Sequence, residues 1–391
     1  MDDVQKKKEV LEKDRSYTAS LVFTTIGDPI VLEDYFKNFQ KFGHLDQVQV
    51  FVIPDKKTPE VIYKRCKDLT KRGLKVICPT LEEQRVYLSR VGFSPHLVPY
   101  NSDNRRNIGY LMALEAKTDF IISMDDDNFC LPDEDFFASH QIVCEPEVKG
   151  QIVNTNTNWY NVCSMLEMDS PKVTYPRGFP YWARHQNEKV EYTFGKACVR
   201  INGGLWLKDP DVDGISWLVN PSHSLAFKGK SFILGKKAWS PINTQNTALH
   251  SEVIVSYYFV RMGYPLAGTL IDRYGDIFSG YFAQACVRQM GGAVRFGTPI
   301  TNHRRNGHNY IKDATNEWAC ILLLEDLLPW LTGEMKLEGS TYLEVYVSLS
   351  YALENIVEHF NGKIWTEAAR AYFHQMGYCM RKWAKACKEI G

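Results

Sequence analysis

The sequence lacks the features that would place the protein in several specialised classes. Its ten cysteines include no C-x-x-C pair, which argues against a zinc ribbon or a thioredoxin-type site. No stretch approaches the ~20 consecutive apolar residues that a membrane-spanning helix needs. Acidic and basic side chains number 46 each, so the net charge of zero gives no electrostatic reason to expect a nucleic acid or a membrane surface as a partner.

The N-terminal residues 1–15 are mostly charged and contain no apolar signal core, so we expect a solvated helical extension. Without a sign of secretion, reduced thiols in the cytoplasm are the better interpretation of the cysteines. The chain of 391 residues is 45% hydrophobic, and its length suits one large domain or two that share a core. After the extension, its pattern divides it into residues 16–150, 151–312 and a helical region at 313–391.

Short apolar runs alternate with helical spacing through the first part of the chain. Strands are predicted at 19–26, 47–53, 74–78 and 119–124, and helices at 31–42, 58–71 and 107–116. This alternation predicts an α/β protein whose mainly parallel sheet is flanked by helices. Ligands bind beyond the carboxyl ends of such strands, so the loops at 24–28, 54–57 and 125–128 should meet at the binding edge.

Three consecutive carboxylates, Asp125, Asp126 and Asp127, follow the fourth predicted strand. They repel one another and destabilise the fold unless a cation lies among them. A hard divalent ion, Mg²⁺ or Mn²⁺, is the natural partner and would keep open positions for phosphate oxygens. The alternative is a solvated acidic turn that caps the next helix, but the buried strand before the turn favours the metal site.

The segment that leads into this strand is rich in arginine and asparagine. Residues 104–110 open a helix, and Arg106 there suits an anionic or heteroaromatic ligand; an N-cap flanked by surface arginines is the alternative. The succession of this loop, a short helix, an apolar strand and a D-x-D motif resembles the nucleotide-sugar glycosyltransferases of the GT-A fold. In those enzymes the D-x-D carboxylates and a metal hold the diphosphate of the sugar nucleotide.

Four later segments carry a more specific pattern. They read RGFPYWAR at 177–184, GGLWLKDPDVD at 203–213, RYGDIFSG at 273–280 and PITNH at 299–303. In this order they resemble motifs of the reversibly glycosylated polypeptides, a plant family also known as UDP-arabinopyranose mutases. The resemblance covers roughly residues 18–310 and leaves out the N-terminal extension and the C-terminal helical region.

The resemblance implies a GT-A-like, Rossmann-type sheet with a C-terminal helical region. It makes residues 16–150 the nucleotide-sugar-binding half and residues 151–312 the acceptor and catalytic half. Uridine is the base that it implies. The expected donor-binding residues are Thr24, Thr25, Gly27, Asp55, Arg106, Gly203 and Gly204.

Two further residues take their expected roles from the resemblance. In the family, the arginine at the position of Arg184 is the site of self-glycosylation and is linked to mutase activity. Chemically, a guanidinium is a poor nucleophile but a good clamp for a diphosphate, and a structural arginine paired with a carboxylate is the alternative. His303 occupies the family's histidine position and is a candidate third metal ligand, with His308 as a second choice. A basic surface loop is the alternative for both histidines.

Asp276 is the candidate acceptor-side carboxylate, because transfer to a hydroxyl usually needs a group that takes its proton. The alternative for Asp276 is a helix N-cap. Asp211 and Asp213 are weaker candidates, since a Pro-Asp turn explains them well. The apolar and aromatic stripes of residues 341–383 are expected to be core or a helix–helix interface rather than a site for lipid or acceptor.

We therefore predict a metal-dependent glycosyltransferase that moves a sugar from a nucleotide donor, UDP-linked by resemblance, to an unidentified carbohydrate or other hydroxyl-bearing acceptor. The first alternative is a UDP-sugar pyranose/furanose mutase with self-glycosylation. The second is a non-catalytic sugar-nucleotide-binding subunit, against which the crowded charges argue. The C-terminal region favours the transferase mildly, because its helices could form an acceptor site or a homo-oligomer interface.

Overall fold

The computed structural model describes residues 16–184, 186–266, 268–305, 307 and 309–391. The predictions for the extension 1–15 and for His308 fall outside these residues. The described helices are α1 Val31–Phe42, α2 Val61–Lys71, α3 Leu81–Arg90, α4 Arg106–Glu115, α5 Phe136–Gln141, α6 Gly214–Val219, α7 Gly275–Gln289, α8 Tyr310–Pro329, α9 Tyr342–Ile356 and α10 Glu367–Ile390.

Most of the strands belong to one large sheet. The described strands are β1 Ala19–Thr25, β2 Val48–Pro54, β3 Lys75–Ile77, β4 Phe120–Met124, β5 Asn128–Cys130, β6 Val148–Thr155, β7 Leu166–Met168, β8 Val190–Ala197, β9 Val199–Lys208, β10 Ser224–Phe227, β11 Phe232–Leu234, β12 Asn246–His250, β13 Tyr264–Leu266, β14 Thr269–Ile271 and β15 Ala293–His303. Thirteen of them form a sheet whose main order is β3-β2-β1-β4-β12-β9-β15-β11-β6-β8, and β13 and β14 form a separate pair.

The N-terminal part of this sheet is parallel. Strand β1 lies between β2 and β4, and β3 pairs with β2. Nearly every residue of β1 and β2 is buried, as expected for strands that helices cover on both faces. The predicted α/β class with a sheet flanked by helices is confirmed, and α1 begins and ends at the predicted residues.

The second part of the sheet is mixed. Strand β12 pairs antiparallel with both β4 and β9, whereas β9 pairs parallel with β15 and β11 pairs parallel with β6. Several of these strands have only three to five residues. Runs this short carry little periodicity, which is why the sequence showed no clear pattern between residues 150 and 312.

The C-terminal region is helical, as predicted, and it packs onto the sheet domain. The buried face of α10 includes Tyr372, Phe373, Met376, Met380 and Trp383. One hydrophobic core joins this face to residues as early as Val22. The predicted apolar stripes are therefore core, and a homo-oligomer through these helices stays a prediction that would have to use their exposed faces. Among the described helices, none combines the length and apolarity needed to cross a membrane.

Candidate functional site

The candidate site lies where the parallel strands β1, β2 and β4 end. The three aspartates follow β4 directly, beside the loop that follows β1. Each aspartate has a different partner in the protein. The acidic turn is therefore a set of three separate contacts.

Asp125 forms a partly buried ion pair with Arg106 at the start of α4. The Arg106 Nη2 atom lies 2.6 Å from Asp125 Oδ1, and Arg106 Nη1 donates to the Ser123 hydroxyl and to the Thr244 carbonyl at 3.2 Å. Burial raises the pKa of Asp125 to about 6, against the opposing charge of Arg106. The predicted proximity of Arg106 to the acidic turn is therefore present in the structure.

Asp126 turns toward the loop after β1. The Thr25 hydroxyl donates to Asp126 Oδ2 at 2.5 Å, and the Gly27 amide donates to Thr25 Oγ1 at 3.0 Å. The Thr24 hydroxyl lies 3.5 Å from Arg106 Nη2. The predicted donor-binding residues of this loop thus lie against the acidic turn.

Asp127 faces His303 at the end of β15. The distance from His303 Nε2 to Asp127 Oδ2 is 3.3 Å, and His303 Nδ1 donates to the Asp209 carbonyl at 2.5 Å. Burial disfavours the ionised form of Asp127, but the contact with His303 keeps the pKa of Asp127 below its ordinary value. Burial opposes the charged form of His303, but the hydrogen bond and the charge of Asp127 raise the pKa of His303, so the charged ring donates from Nε2 to Asp127 and from Nδ1 to the Asp209 carbonyl. Because that carbonyl can only accept, loss of one proton leaves the other on Nδ1 and frees the Nε2 lone pair for an ion.

This pair offers a partial ligand set for a divalent metal. Among the described residues, no group of three or more histidine, cysteine or acidic side chains is arranged to hold an ion. Mg²⁺ is commonly bound by one or two carboxylates together with substrate phosphates rather than by an all-protein cage. A carboxylate facing an imidazole that is oriented through its other nitrogen fits such an ion. Asp125 and Asp126, which were also predicted as ligands, are engaged with Arg106 and Thr25.

Asp55 directly follows strand β2. Its carboxylate accepts from the amides of Lys56, at 2.7 Å, and Ser102, at 3.2 Å. Two residues that sequence analysis did not single out lie nearby: the Arg105 guanidinium and the Lys56 ammonium lie 4.6 and 4.1 Å from the centre of the Tyr100 ring, and Arg105 Nε lies 3.8 Å from Asp55 Oδ1. The Tyr100 ring is 39% exposed, so these two cations lie against an aromatic face at the surface.

Asp276 belongs to a second, fully buried cluster. Arg177 Nη2 lies 2.6 Å from Asp276 Oδ2, and Arg177 Nε lies 2.9 Å from Asp211 Oδ1. Asp276 lies in the first turn of α7, whose N-cap is Tyr274, so the N-cap alternative is wrong. Burial raises the pKa of Asp276 against the opposing charge of Arg177.

Arg184 is held by a third carboxylate. Its Nη2 atom lies 2.8 Å from Asp213 Oδ2, and its Nη1 atom lies 3.1 Å from the Ser216 hydroxyl. The ring of Tyr181 lies 3.7 Å from the guanidinium, and the Tyr181 hydroxyl donates to Asp213 at 2.8 Å. The side chain of Asp213 is fully buried. Arg184 is thus an arginine paired with a carboxylate, as the structural alternative expects. The same pair places a carboxylate, Asp213, beside the candidate reactive arginine.

Alternating aspartates connect these clusters. In the segment D-P-D-V-D, Asp209 contacts His303, Asp211 contacts Arg177 and Asp213 contacts Arg184. A chain reaches at most ~3.6 Å per residue, so the ends of this segment lie within ~14 Å of each other. The alternation of aspartates is visible in the sequence, but the residues that these aspartates contact lie far away along the chain.

A second link is the segment 243–245. The Asn243 amide donates to Asp211 at 2.6 Å, the Thr244 carbonyl accepts from Arg106 at 3.2 Å, and the Gln245 carbonyl accepts from the Asp125 amide at 3.3 Å. Sequence analysis missed this segment, which carries no charge and no recognisable motif.

Gly203 and Gly204, predicted to bind the donor, lie inside β9. A Cβ atom on Gly203 would meet the Phe296 ring at 2.8 Å, and one on Gly204 would collide with Asn246 and with the Pro299 carbonyl. Close packing accounts for both glycines. A role in donor binding stays a prediction.

A flanked parallel sheet with an acidic turn at the carboxyl ends of its strands is the architecture predicted for the GT-A class. A sequence model of the family "Reversibly glycosylated polypeptide" matches residues 84–391. The chain belongs to this family. Because the match extends to the last residue, the helical region is part of the family pattern, and the expectation that the resemblance ends near residue 310 is wrong.

Curated relatives are similar over most of the chain. UDP-arabinopyranose mutase 1 of Arabidopsis thaliana is 23% identical over 73% of this chain and 72% of its own length. A probable UDP-arabinopyranose mutase 1 of Pisum sativum is 24% identical over 73% of this chain and 71% of its own length. Among solved structures, glucosyl-3-phosphoglycerate synthase of Mycobacterium tuberculosis with Mn²⁺ and UDP-glucose is 10% identical, covers 81% of this chain and 82% of that chain, and gives a TM-score of 0.39.

Proposed function

We propose that this protein is a UDP-sugar mutase, an enzyme that binds a UDP-sugar and interconverts the pyranose and furanose forms of its sugar. The observation that carries the proposal is the buried pair of Arg184 and Asp213, in the motif that resembles the family's reactive arginine segment. Family membership and the names of the curated relatives support the same choice. The main reason to prefer a transferase was a helical region outside the family, and the family match removes that reason.

The donor would bind at the carboxyl ends of β1, β2 and β4. Asp127 and His303 would hold Mn²⁺ or Mg²⁺, which supplies positive charge against the diphosphate when bound. Thr25 and Gly27 border the acidic turn from one side, and the Asp55 carboxylate, which already accepts from the Ser102 amide, would accept a hydrogen bond from the base. The Arg106 guanidinium, already paired with Asp125, adds a fixed positive charge to this corner.

Arg184 would hold the sugar while its ring form changes. The bond from the anomeric carbon to the β-phosphate oxygen breaks, and its electron pair leaves with UDP. A guanidinium nitrogen bonds to that carbon and passes one proton to Asp213, which lies 2.8 Å from Arg184 Nη2. A guanidinium does not give up a proton readily, so a carboxylate at this distance is what the step requires.

The captured sugar can then change rings without any oxidant. The ring oxygen leaves the anomeric carbon with the bonding electron pair and takes the proton of the linking nitrogen, whose freed electron pair forms a carbon–nitrogen double bond to Arg184. Another hydroxyl of the sugar then adds to the same carbon, and its proton returns to that nitrogen. UDP then attacks the carbon, and the nitrogen leaves and recovers its proton from Asp213.

The test combines intact-protein mass spectrometry with chromatography of the nucleotide sugars. Wild-type protein is incubated with UDP-arabinopyranose and Mn²⁺, and we expect one added sugar per chain and a new UDP-sugar of the same mass but different retention. Arg184→Ala and Asp213→Asn should abolish both, whereas UDP binding by calorimetry should persist. Arg184→Lys keeps the charge beside Asp213 and controls for loss of folding, because an unpaired buried carboxylate destabilises by about 3–5 kcal/mol.

Transfer to an acceptor is the second candidate function. Its support is the position of Asp276 in the motif at 273–280, where Arg177 orients the carboxylate and burial raises its pKa, because an oriented and more basic carboxylate accepts a hydroxyl proton more readily. Release of UDP only when a carbohydrate or another hydroxyl compound is added, with no adduct on Arg184, would favour this candidate. UDP-sugar binding without adduct, isomerisation or transfer would instead point to a non-catalytic subunit.

A further inference from the structure

Helix α8 directs a carboxylate at the loop that carries Arg184. Glu325 Oε1 accepts from the Tyr181 amide at 2.8 Å, and Glu325 Oε2 accepts from the Trp182 amide at 3.3 Å. These two amides open the short 3-10 turn Tyr181–Ala183 that ends at Arg184. The first amides of a helical turn have no partner within the turn, so a carboxylate that accepts from both of them fixes its position.

A second carboxylate of α8 fixes the partner of Arg184. Glu317 is 1% exposed, and its Oε2 atom accepts from the Gly214 amide at 2.7 Å. Gly214 follows Asp213, the residue that pairs with Arg184. The two sides of the Arg184–Asp213 pair are therefore tied to the same helix.

The same helix also holds the loop before α7. Arg273 Nε lies 3.1 Å from Glu317 Oε1, and Arg273 Nη1 lies 3.2 Å from Asp313 Oδ1. Arg273 adopts φ = 61°, a conformation that is uncommon for a residue with a side chain. Its carbonyl accepts from Arg177 at 2.5 Å, and Arg177 in turn pairs with Asp276.

We propose that Glu325 and Glu317 are positioning residues, which set the distance and angle of the Arg184–Asp213 pair from helix α8. The inference rests on the proposed function for the role of Arg184, but the contacts themselves do not depend on it. The Tyr181 ring, which stacks on the guanidinium, belongs to the residue whose amide Glu325 holds. Loss of Glu325 therefore shifts the surface on which Arg184 rests.

The test uses two variants of Glu325 and a control on the next residue. Glu325→Ala removes both acceptors, and Glu325→Gln keeps one. Asp326→Asn removes a neighbouring charge that contacts the Trp365 indole at 2.7 Å, away from the Arg184 loop. Hydrogen exchange followed by mass spectrometry reports the amides of Tyr181 and Trp182, and kcat and KM for UDP-arabinopyranose report the reaction.

In Glu325→Ala we expect the peptide that contains Tyr181 and Trp182 to exchange faster. We also expect kcat to fall up to about 100-fold, because a displacement of ~1 Å can cost that much in a positioned reaction. KM and UDP affinity should stay within threefold of wild type, since the donor contacts lie elsewhere. Glu325→Gln should recover part of kcat, and Asp326→Asn should match wild type in exchange at this peptide and in kcat.

Two results would overturn the proposal. One is faster exchange at this peptide in Glu325→Ala with unchanged kcat, which would make Glu325 a structural residue only. The other is a variant in which UDP affinity and kcat fall together and hydrogen exchange becomes faster throughout the chain. That result would mean general destabilisation. If the wild type itself neither isomerises the sugar nor forms an adduct, the proposed function fails, and unchanged exchange in Glu325→Ala would separately refute the contact.

Discussion

His140 shows how the sheet fixes the charge state of a single buried residue. It is completely buried, its Nε2 donates to Asn246 Oδ1 at 2.8 Å, and its Nδ1 accepts from the Asn202 amide at 3.0 Å. These two hydrogen bonds match a neutral imidazole that carries its proton on Nε2. Burial lowers the pKa of His140 to about 3.

Stability should therefore fall as the pH falls below the unfolded pKa of histidine, ~6.5. Between that value and a folded pKa of about 3, the unfolded chain binds the additional proton, so acid favours unfolding. His140 alone should reduce the free energy of unfolding by about 2 kcal/mol between pH 7 and pH 5. Urea titrations of wild type and His140→Gln at both pH values measure this. An equal drop in the two proteins would rule out His140 as the cause.

Asp127 should determine how strongly UDP binding depends on metal. Three neighbouring carboxylates and a diphosphate repel one another, so UDP should bind weakly in excess chelator. We expect Mn²⁺ to tighten UDP binding to the wild type at least tenfold by calorimetry, and Asp127→Asn to lose most of that gain. Asp133→Asn, the same substitution at an exposed position, is the control. Unchanged affinity and full activity in chelator would contradict the metal site.

The sequence singled out candidate site residues more readily than the partners that hold them. The acidic turn, Arg106 and Arg184 were found because charges next to a buried strand or within a recognisable motif are conspicuous. The partners Asp213, Glu317 and Glu325 were not assigned, since each reaches its contact across a separation of 29, 103 and 144 residues. No local pattern encodes such a pairing.

At the level of elements, strand β9 depends on glycine for its close contacts. A side chain on Gly204 would collide with Asn246 and with the backbone carbonyl of Pro299, and a backbone atom cannot move aside as a flexible side chain can. We expect Gly204→Ala to destabilise the protein by about 1–3 kcal/mol. Chemical denaturation measures the change. Gly333→Ala, where a Cβ meets nothing within 4 Å, should stay close to wild type, and equal effects of the two would refute the packing explanation.

Helices with regular apolar spacing and the four strands that alternate with them were predicted closely, whereas the short strands after residue 124 were not. Helix α1 presents Val31, Leu32, Tyr35, Phe36 and Phe39 to the core, a spacing that only a helix satisfies. Strand β12 has five residues, and its neighbours β4 and β9 are distant in sequence. Its place is set by those neighbours, which the sequence pattern does not reveal.

For the whole molecule, the C-terminal helices and the sheet share one core. Trp383 of α10 is fully buried, donates through its indole to the Ile254 carbonyl at 3.1 Å and packs edge-on against Phe93 at 5.9 Å. The sequence motifs alone place the helical region outside the family pattern. The shared core gives a physical reason why the family match includes it.

We expect the sheet and the C-terminal helices to unfold together. Trp383→Ala should lower the free energy of unfolding by about 3–5 kcal/mol, because it leaves a large cavity between α10 and the rest of the chain. Trp318→Ala, at a half-exposed position on α8, is the matched control and should have a small effect. Denaturant titrations followed by far-UV circular dichroism and by UDP binding should give one midpoint for each protein. Two separate midpoints would show that the helical region folds independently.

Glu317 and Glu325 also restrict how the length of helix α8 can change. Each residue of an α-helix turns the chain by about 100°, so a single inserted residue between Glu317 and Glu325 would rotate Glu325 away from the Tyr181 amide. A whole turn would keep its direction but move it about 5.4 Å along the axis. The spacing of these glutamates is therefore expected to tolerate substitution on the outer face of the helix but neither insertion nor deletion.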